Sequence, residues 1–205
     1  MNKKYILALI VIIIIAIVAI GAGIFLSGSR CTVDVYIDGE NATASIESNK
    51  DVDKAKIKKE ICDYTLKSMD RPNIDADTLK EGIKDICSKH GFITTDVNLD
   101  SSLGKNSIPV FFIVDGTSMV PTLQDGQEVL VNKTQDVHVG DIVVTDSAEY
   151  GKIIKRVNQV NGSEIYVVSD NKNVEYSEIG GEIYETKGIT TWVDSSDIYG
   201  VVVEY

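Results

Sequence analysis

Positive charge is the first thing this sequence is short of. Its 205 residues carry 20 Lys and Arg against 31 Asp and Glu, a formal net charge of -11. Such a surface repels phosphate backbones and anionic headgroups, which excludes nucleic acid as a partner. Cysteine is scarce too: three thiols, with no CxxC pair and no Cys/His cluster, offer no structural zinc site. They permit one bridge, with Cys62 and Cys87 the pair that two antiparallel helices would bring together, and free thiols are the equal alternative. With 3 Pro, 16 Gly and 43% hydrophobic residues, neither wholesale disorder nor a fibrous repeat fits. A folded chain remains, of a length for one ordinary domain plus extras.

The apolar residues are unevenly spread. Tyr5 to Leu26 reads YILALIVIIIIAIVAIGAGIFL, 22 positions without a charge. As a helix it would reach roughly 33 Å, enough for a hydrocarbon core of about 30 Å. Lys3 and Lys4 precede it and Arg30 alone follows closely, so the positive-inside bias places the N-terminus in the cytoplasm and the remainder outside. A cleaved signal peptide is the competing reading, but its apolar region runs shorter. The expectation is a retained single-pass anchor in the cell membrane within residues 1–30, with the bilayer as a partner.

Beyond the anchor, Thr32 to Asp38 alternates apolar and polar residues, Gly39 to Asn41 offers a turn, and Ala42 to Glu47 alternates again, which predicts a hairpin. From Asp51 to Met69 the apolar residues recur at helical spacing. Asp75 or Asp77 can cap a second helix carrying Leu79, Ile83, Ile86 and Cys87, with Gly91 at its C-terminal end. Phe92 to Leu99 returns to strand alternation. Residues 31–105 therefore read as a small α+β (ββααβ) module without chemistry of its own, its lysine run 54–59 a solvated helix face. Ser101 to Asn106 reads as a linker.

From Ser107 onward the helical period disappears and seven strand-like runs follow, IPVFFIV, QEVLVNK, DIVVT, KIIKRVNQV, EIYVVS, ITTWV and IYGVVVEY. Residues 106–205 are expected to form a mainly β domain, and function is sought there. Gly116-Thr-Ser-Met-Val-Pro-Thr-Leu123 sets Ser118 in a turn directly after an apolar strand. In Gly151-Lys-Ile-Ile-Lys-Arg-Val157, alternation puts Ile153, Lys155 and Val157 on one face and Lys152, Ile154 and Arg156 on the other. A lysine on an apolar face can lose its proton through desolvation and become a base for a serine hydroxyl. A lysine snorkelling from a sheet edge is the plainer alternative.

GTSMVPTL, VGDIVV, KIIKRV and SDN occur in that order, and together they resemble the signal peptidase I family over roughly Ile108 to Tyr205 and the N-terminal anchor. The resemblance implies a membrane-bound serine endopeptidase on a signal peptidase-like β fold that cleaves exported pre-proteins after small residues and needs no cofactor or metal. It implies Ser118 as nucleophile and Lys155 as general base. Gly116 and Thr117 fall at the oxyanion turn, Met119 and Pro121 at substrate-binding positions, and the Asp170-Asn171 region with Ser177 at the place of a support that hydrogen-bonds the lysine. His138, Asp141 and Asp115 are bystanders or turn residues.

Two departures from the family pattern stand out. About ninety residues separate anchor and serine, where the family places the serine soon after the membrane. The family's Gly-Asp-Asn segment reads Ser169-Asp-Asn171, and its following Ser-x-Asp appears as Ser177-Glu-Ile. A narrow-specificity processing peptidase for one client, and a catalytically silent membrane receptor or assembly protein on the same fold, are the alternatives. Nothing in the sequence specifies an oligomer.

Overall fold

A computed structural model describes residues 28–173, 175–179, 182–186 and 188–205, and of the two short strands 175–179 and 182–186 the backbone alone. The apolar span at Tyr5 to Leu26 lies outside the described residues; among those described, no helix is long and apolar enough to cross a membrane.

The first unit is β1 (Arg30–Ile37), β2 (Ala42–Ser48), α1 (Lys54–Met69), α2 (Ala76–Lys89) and β3 (Thr94–Ser101), in the ββααβ order expected. β1 lies between β2, antiparallel, and β3, parallel. The parallel pair requires a crossover, which the two helices supply. Asp53 and Asp75 cap the helices by accepting from the N–H groups of Lys56 and Thr78. Inward-facing Val33, Val35 and Ile37 of β1 close a core with Ile57 and Ile61 of α1 and Leu79 and Ile83 of α2. Gly91, with φ of 82°, takes the left-handed turn that ends α2.

All three thiols are free, which is the second of the two readings left open for Cys62 and Cys87. Cys87 is buried beside Cys31 and Thr95, whereas Cys62 is half-buried elsewhere on α1. The predicted linker is a tight turn: Gly104 N–H donates to Ser101 and Asn106 N–H to Leu99. Ile108 then joins the core of the first unit. Asn73 N–H donates to the Ile198 carbonyl at 3.1 Å, and Lys133 Nζ to the Arg71 carbonyl at 2.6 Å, so the loop after α1 is bonded to the second sheet.

Each of the seven predicted runs is a strand: β4 (Pro109–Ile113), β5 (Glu128–Asn132), β6 (Ile142–Ser147), β7 (Gly151–Asn161), β8 (Glu164–Val168), β11 (Thr190–Asp194) and β12 (Ile198–Glu204). They make one antiparallel sheet in the order β11-β8-β7-β6-β12-β5-β4. Glu175–Ile179 (β9) and Glu182–Thr186 (β10) form a separate two-stranded ribbon that the sequence reading did not foresee. In a flat sheet β4 and β7 would stand about 19 Å apart, four spacings of about 4.8 Å. Both nevertheless line one cleft, so the sheet is curled and its concave side brings them together. The protein is mainly β in this half.

Candidate active site

The Ser118 turn begins where β4 ends. Val114 N–H donates to Gln127 and its carbonyl accepts from Gly126, closing the strand end against the turn before β5. Gly116 follows with φ of 83°, a conformation that favours glycine, and its N–H donates to Asp125 Oδ1 at 2.8 Å. Beneath the turn Met119 and Leu123 are fully buried, in a core shared with Val129, Val131 and Val144. Two apolar anchors immediately after Ser118 thus fix the turn to the sheet.

Lys155 arrives on β7. Ile153, Lys155 and Val157 are the buried members of the strand, as the alternation predicts, and Lys155 is 2% exposed. This removes the snorkelling alternative. Its Nζ lies 2.8 Å from Ser118 Oγ and 2.8 Å from the Ile154 carbonyl, to which it donates. Burial disfavours the charged amine and lowers its pKa to about 8, with the Asp170 carboxylate acting in the opposite sense. Ser118 and Lys155 share a cleft of about 330 Å³ with Phe112, Ile113, Val144, Lys152, Ile154 and Ile189.

Asp170 and Asn171 serve the other partner of this pair. Arg156 Nε and Nη2 donate to the two oxygens of Asp170 at 2.8 and 2.6 Å, and Thr122 Oγ1 donates to Oδ2 at 2.6 Å. The guanidinium holds the Asp170 carboxyl below its ordinary range. Asn171 N–H donates to the Ser118 carbonyl and Asn171 Nδ2 to the Thr117 carbonyl, at 2.9 and 3.0 Å. Neither residue hydrogen-bonds Lys155, so the expectation of a lysine support is corrected: both brace the serine turn. The geometry follows from the chain, because Arg156 faces away from Lys155 on the same strand and carries Asp170 with it. The side chain of Ser177 lies outside the described residues; its backbone is in β9, opposite Tyr184.

Thr117 is exposed and Gly116 half-buried at the cleft. Met119 and Pro121 do not line it: Met119 is core, and Pro121, after a cis peptide bond, faces solvent. His138 is exposed, and its N–H donates to Asp141 Oδ2 at 2.8 Å in the turn before β6. Three contributors went unread in the sequence. Arg156 and Thr122 clamp Asp170, and buried Tyr199 packs edge-on at 5.9 Å behind Phe112, which lines the cleft. Only the proximity of Arg156 to Lys155 in the KRV run could have flagged the first.

Comparison with known proteins gives the family. The Peptidase S24-like family matches residues 79–191, more than half of the chain, from within α2 to within β11. The chain belongs to this family, which is one of peptidases. It is similar to two curated proteins of Bacillus subtilis (strain 168): it is 34% identical to signal peptidase I V over 37% of this chain and 47% of that protein. To signal peptidase I U it is 36% identical over 29% of this chain and 34% of that protein. The chain thus spans less than half the length of either relative.

Proposed function

We propose that this chain is a membrane-anchored serine endopeptidase of signal peptidase I type, which cleaves exported pre-proteins with Ser118 as nucleophile and Lys155 as general base. The observation that carries the reading is the 2.8 Å approach of a buried Lys155 Nζ to Ser118 Oγ. Hydrogen-bond reach comes first for a general base, and a pKa near the working pH comes second; a value of about 8 leaves a useful fraction of neutral amine. A catalytically silent receptor has no need of an amine held uncharged at a hydroxyl.

The substrate would enter as an extended segment. On its β8 side, β7 is paired only from Arg156 onward, so the stretch Gly151 to Lys155 has one edge without a strand partner among the described residues. β4 ends the sheet, and its outer edge likewise has no strand partner among the described residues. Both edges border the cleft, and unpaired backbone groups at such edges accept an added strand.

In the reaction Ser118 Oγ attacks the scissile carbonyl while Lys155 Nζ takes its proton. The oxyanion that forms would meet the backbone N–H of Ser118. Gly116 brings no hydroxyl to this point, which leaves Thr117 or backbone as the second donor. Collapse expels the amine, which receives the proton from Lys155, and the acyl-serine is then hydrolysed by water that Lys155 deprotonates in turn. The expected organisation is an anchor in residues 1–30, the α+β module in 31–105 and the peptidase domain in 106–205, outside the membrane.

The test offers a signal-peptide substrate to the full-length chain in detergent micelles, beside Ser118→Ala and Lys155→Ala. Each variant should lose at least about a thousandfold in kcat/KM. Cleavage undiminished in either variant removes the dyad.

A further inference from the structure

Once the dyad is accounted for, one cation in the cleft is left over. Lys152 lies three residues before Lys155 on β7, about 10 Å along a strand that rises about 3.3 Å per residue, and lines the same cleft as Ser118. Unlike Lys155 it is exposed. Its Nζ lies 4.1 Å from the ring centroid of Tyr199 and 5.3 Å from that of Phe112. Two aromatic rings therefore hold the ammonium at the far end of the cleft while leaving it wet.

Its charge adds to burial in lowering the pKa of Lys133, which packs on the same Tyr199 ring, but tasks at the dyad fail on inspection. It does not depress Lys155, whose lowered pKa comes from burial, with only Asp170 acting beside it. Asp146, its direct partner across the ladder, is engaged by the Tyr199 hydroxyl at 3.0 Å. Among the described residues no carboxylate forms an ion pair with Lys152. A chain of net charge -11 thus keeps in this cleft an exposed cation with no carboxylate in ion-pair contact among the described residues, Asp146 standing opposite it on the neighbouring strand. The carboxylate that lines the cleft, Asp115, sits beside Gly116 at the opposite, serine end.

We propose that Lys152 is a specificity-determining residue, which selects peptides carrying an Asp or Glu side chain about two to four residues from the scissile bond. The inference rests on the Ser118–Lys155 reading and names the substrate class for that site. An extended peptide running beside β7 with its scissile carbonyl at Ser118 Oγ, next to Lys155, spans the backbone interval of about 10 Å from Lys155 to Lys152 in about three residues, and the flexible lysine stem accounts for the spread. Phe112 and Ile154 beside it would pack the aliphatic part of such a side chain.

The experiment digests a mixed-sequence peptide library with the full-length chain in detergent micelles and reads the new termini by mass spectrometry. One good cleavage sequence is then resynthesised with Glu, Gln or Lys at the responsive position. Glu should exceed Lys roughly fivefold or more in kcat/KM, chiefly through KM, and the ratio should shrink as salt is raised. Lys152→Glu should invert the ratio, Lys152→Gln should bring it close to one, and Lys152→Arg should keep it. The ratio is taken within each variant, so an overall loss of activity does not obscure it. A ratio near one in the unmodified chain, or one unchanged in Lys152→Glu, overturns the inference and leaves the dyad standing. No cleavage of any peptide by the unmodified chain overturns both.

Discussion

The backbone N–H of Asn171 donates to the carbonyl of Ser118 at 2.9 Å, so the serine turn hangs from the residue that follows Asp170. Asp170 is in turn gripped by Arg156, the residue after Lys155. β7 therefore controls both members of the pair. It carries the amine on its buried face, and through Arg156 on the opposite face it sets where the hydroxyl stands. A displacement of either part by an ångström would break a 2.8 Å approach.

Asp170→Asn tests this coupling. The substitution keeps the shape but removes the charge that Arg156 and Thr122 share, at a cost of about 1–3 kcal/mol for hydrogen bonds to a charged group. Peptidase activity should fall roughly tenfold or more as the turn loosens. Asp170 also supports the protonated form of Lys155. Its loss should therefore move the midpoint of the residual pH profile below that of the unmodified chain. A profile that stays in place, or moves upward, contradicts the electrostatic part; a rate that stays in place contradicts the mechanical part.

The unmodified chain should show a kcat/KM that rises with pH and levels off above about 8, since only the neutral amine accepts the serine proton and burial brings its pKa down to that value. Below the midpoint the slope should be about tenfold per pH unit. A rate already flat at pH 6 would mean that some other group takes the proton.

Much of this half of the molecule was legible because its signals are local. The period of two along KIIKRV put Lys155 on one face with Ile153 and Val157 while leaving burial and snorkelling both open, and the seven runs became seven strands. What was not legible is long-range. Nothing in IYGVVVEY says that the last strand lies between β5 and β6, a position fixed by pairings with residues more than fifty positions away. The ribbon of β9 and β10 escaped because its segments, EYSEI and EIYET, are polar enough to pass for loop, although the Gly180-Gly181 pair between them is a turn signal. Asp170 and Asn171 were expected to hydrogen-bond the lysine, and instead they bond Arg156, Thr122 and the Ser118 turn. The Asp170 oxygens are taken by Arg156 and Thr122, and sequence order does not show which way a side chain on a loop will turn.

The thiols give a chemical check on the first unit. Cys31 and Cys87 are buried, and desolvation with Cys31 alongside pushes the Cys87 thiol up to about 12. Cys62 is half-buried, and its thiol is raised by the same cause. A maleimide added to the native chain near pH 7.5 should label Cys62 first, with Cys31 and Cys87 following only when denaturant opens the core. Labelling of Cys87 ahead of Cys62, read by peptide mapping, would mean that α2 does not pack on β1 as described.

A base kept uncharged by burial should leave a trace in stability. In the unfolded chain Lys155 keeps its ordinary pKa of 10.5, while in the folded chain it falls to about 8. Between those two values the unfolded state holds a proton that the native state lacks, so native stability rises with pH across that window. Below about pH 8 the amine is charged in both states and the folded protein bears the whole desolvation cost, with an upper bound of roughly 3 kcal/mol. Lys155→Met has no titration here. The unmodified chain should therefore gain on the variant as pH is raised from 8 to 10.5, by up to that amount, and the difference between them should be constant from pH 6 to 7.5. Denaturant midpoints of the two proteins across this range measure it. Parallel curves through pH 10 would show an amine with an ordinary affinity for its proton, and the base assigned to Ser118 would be lost with it.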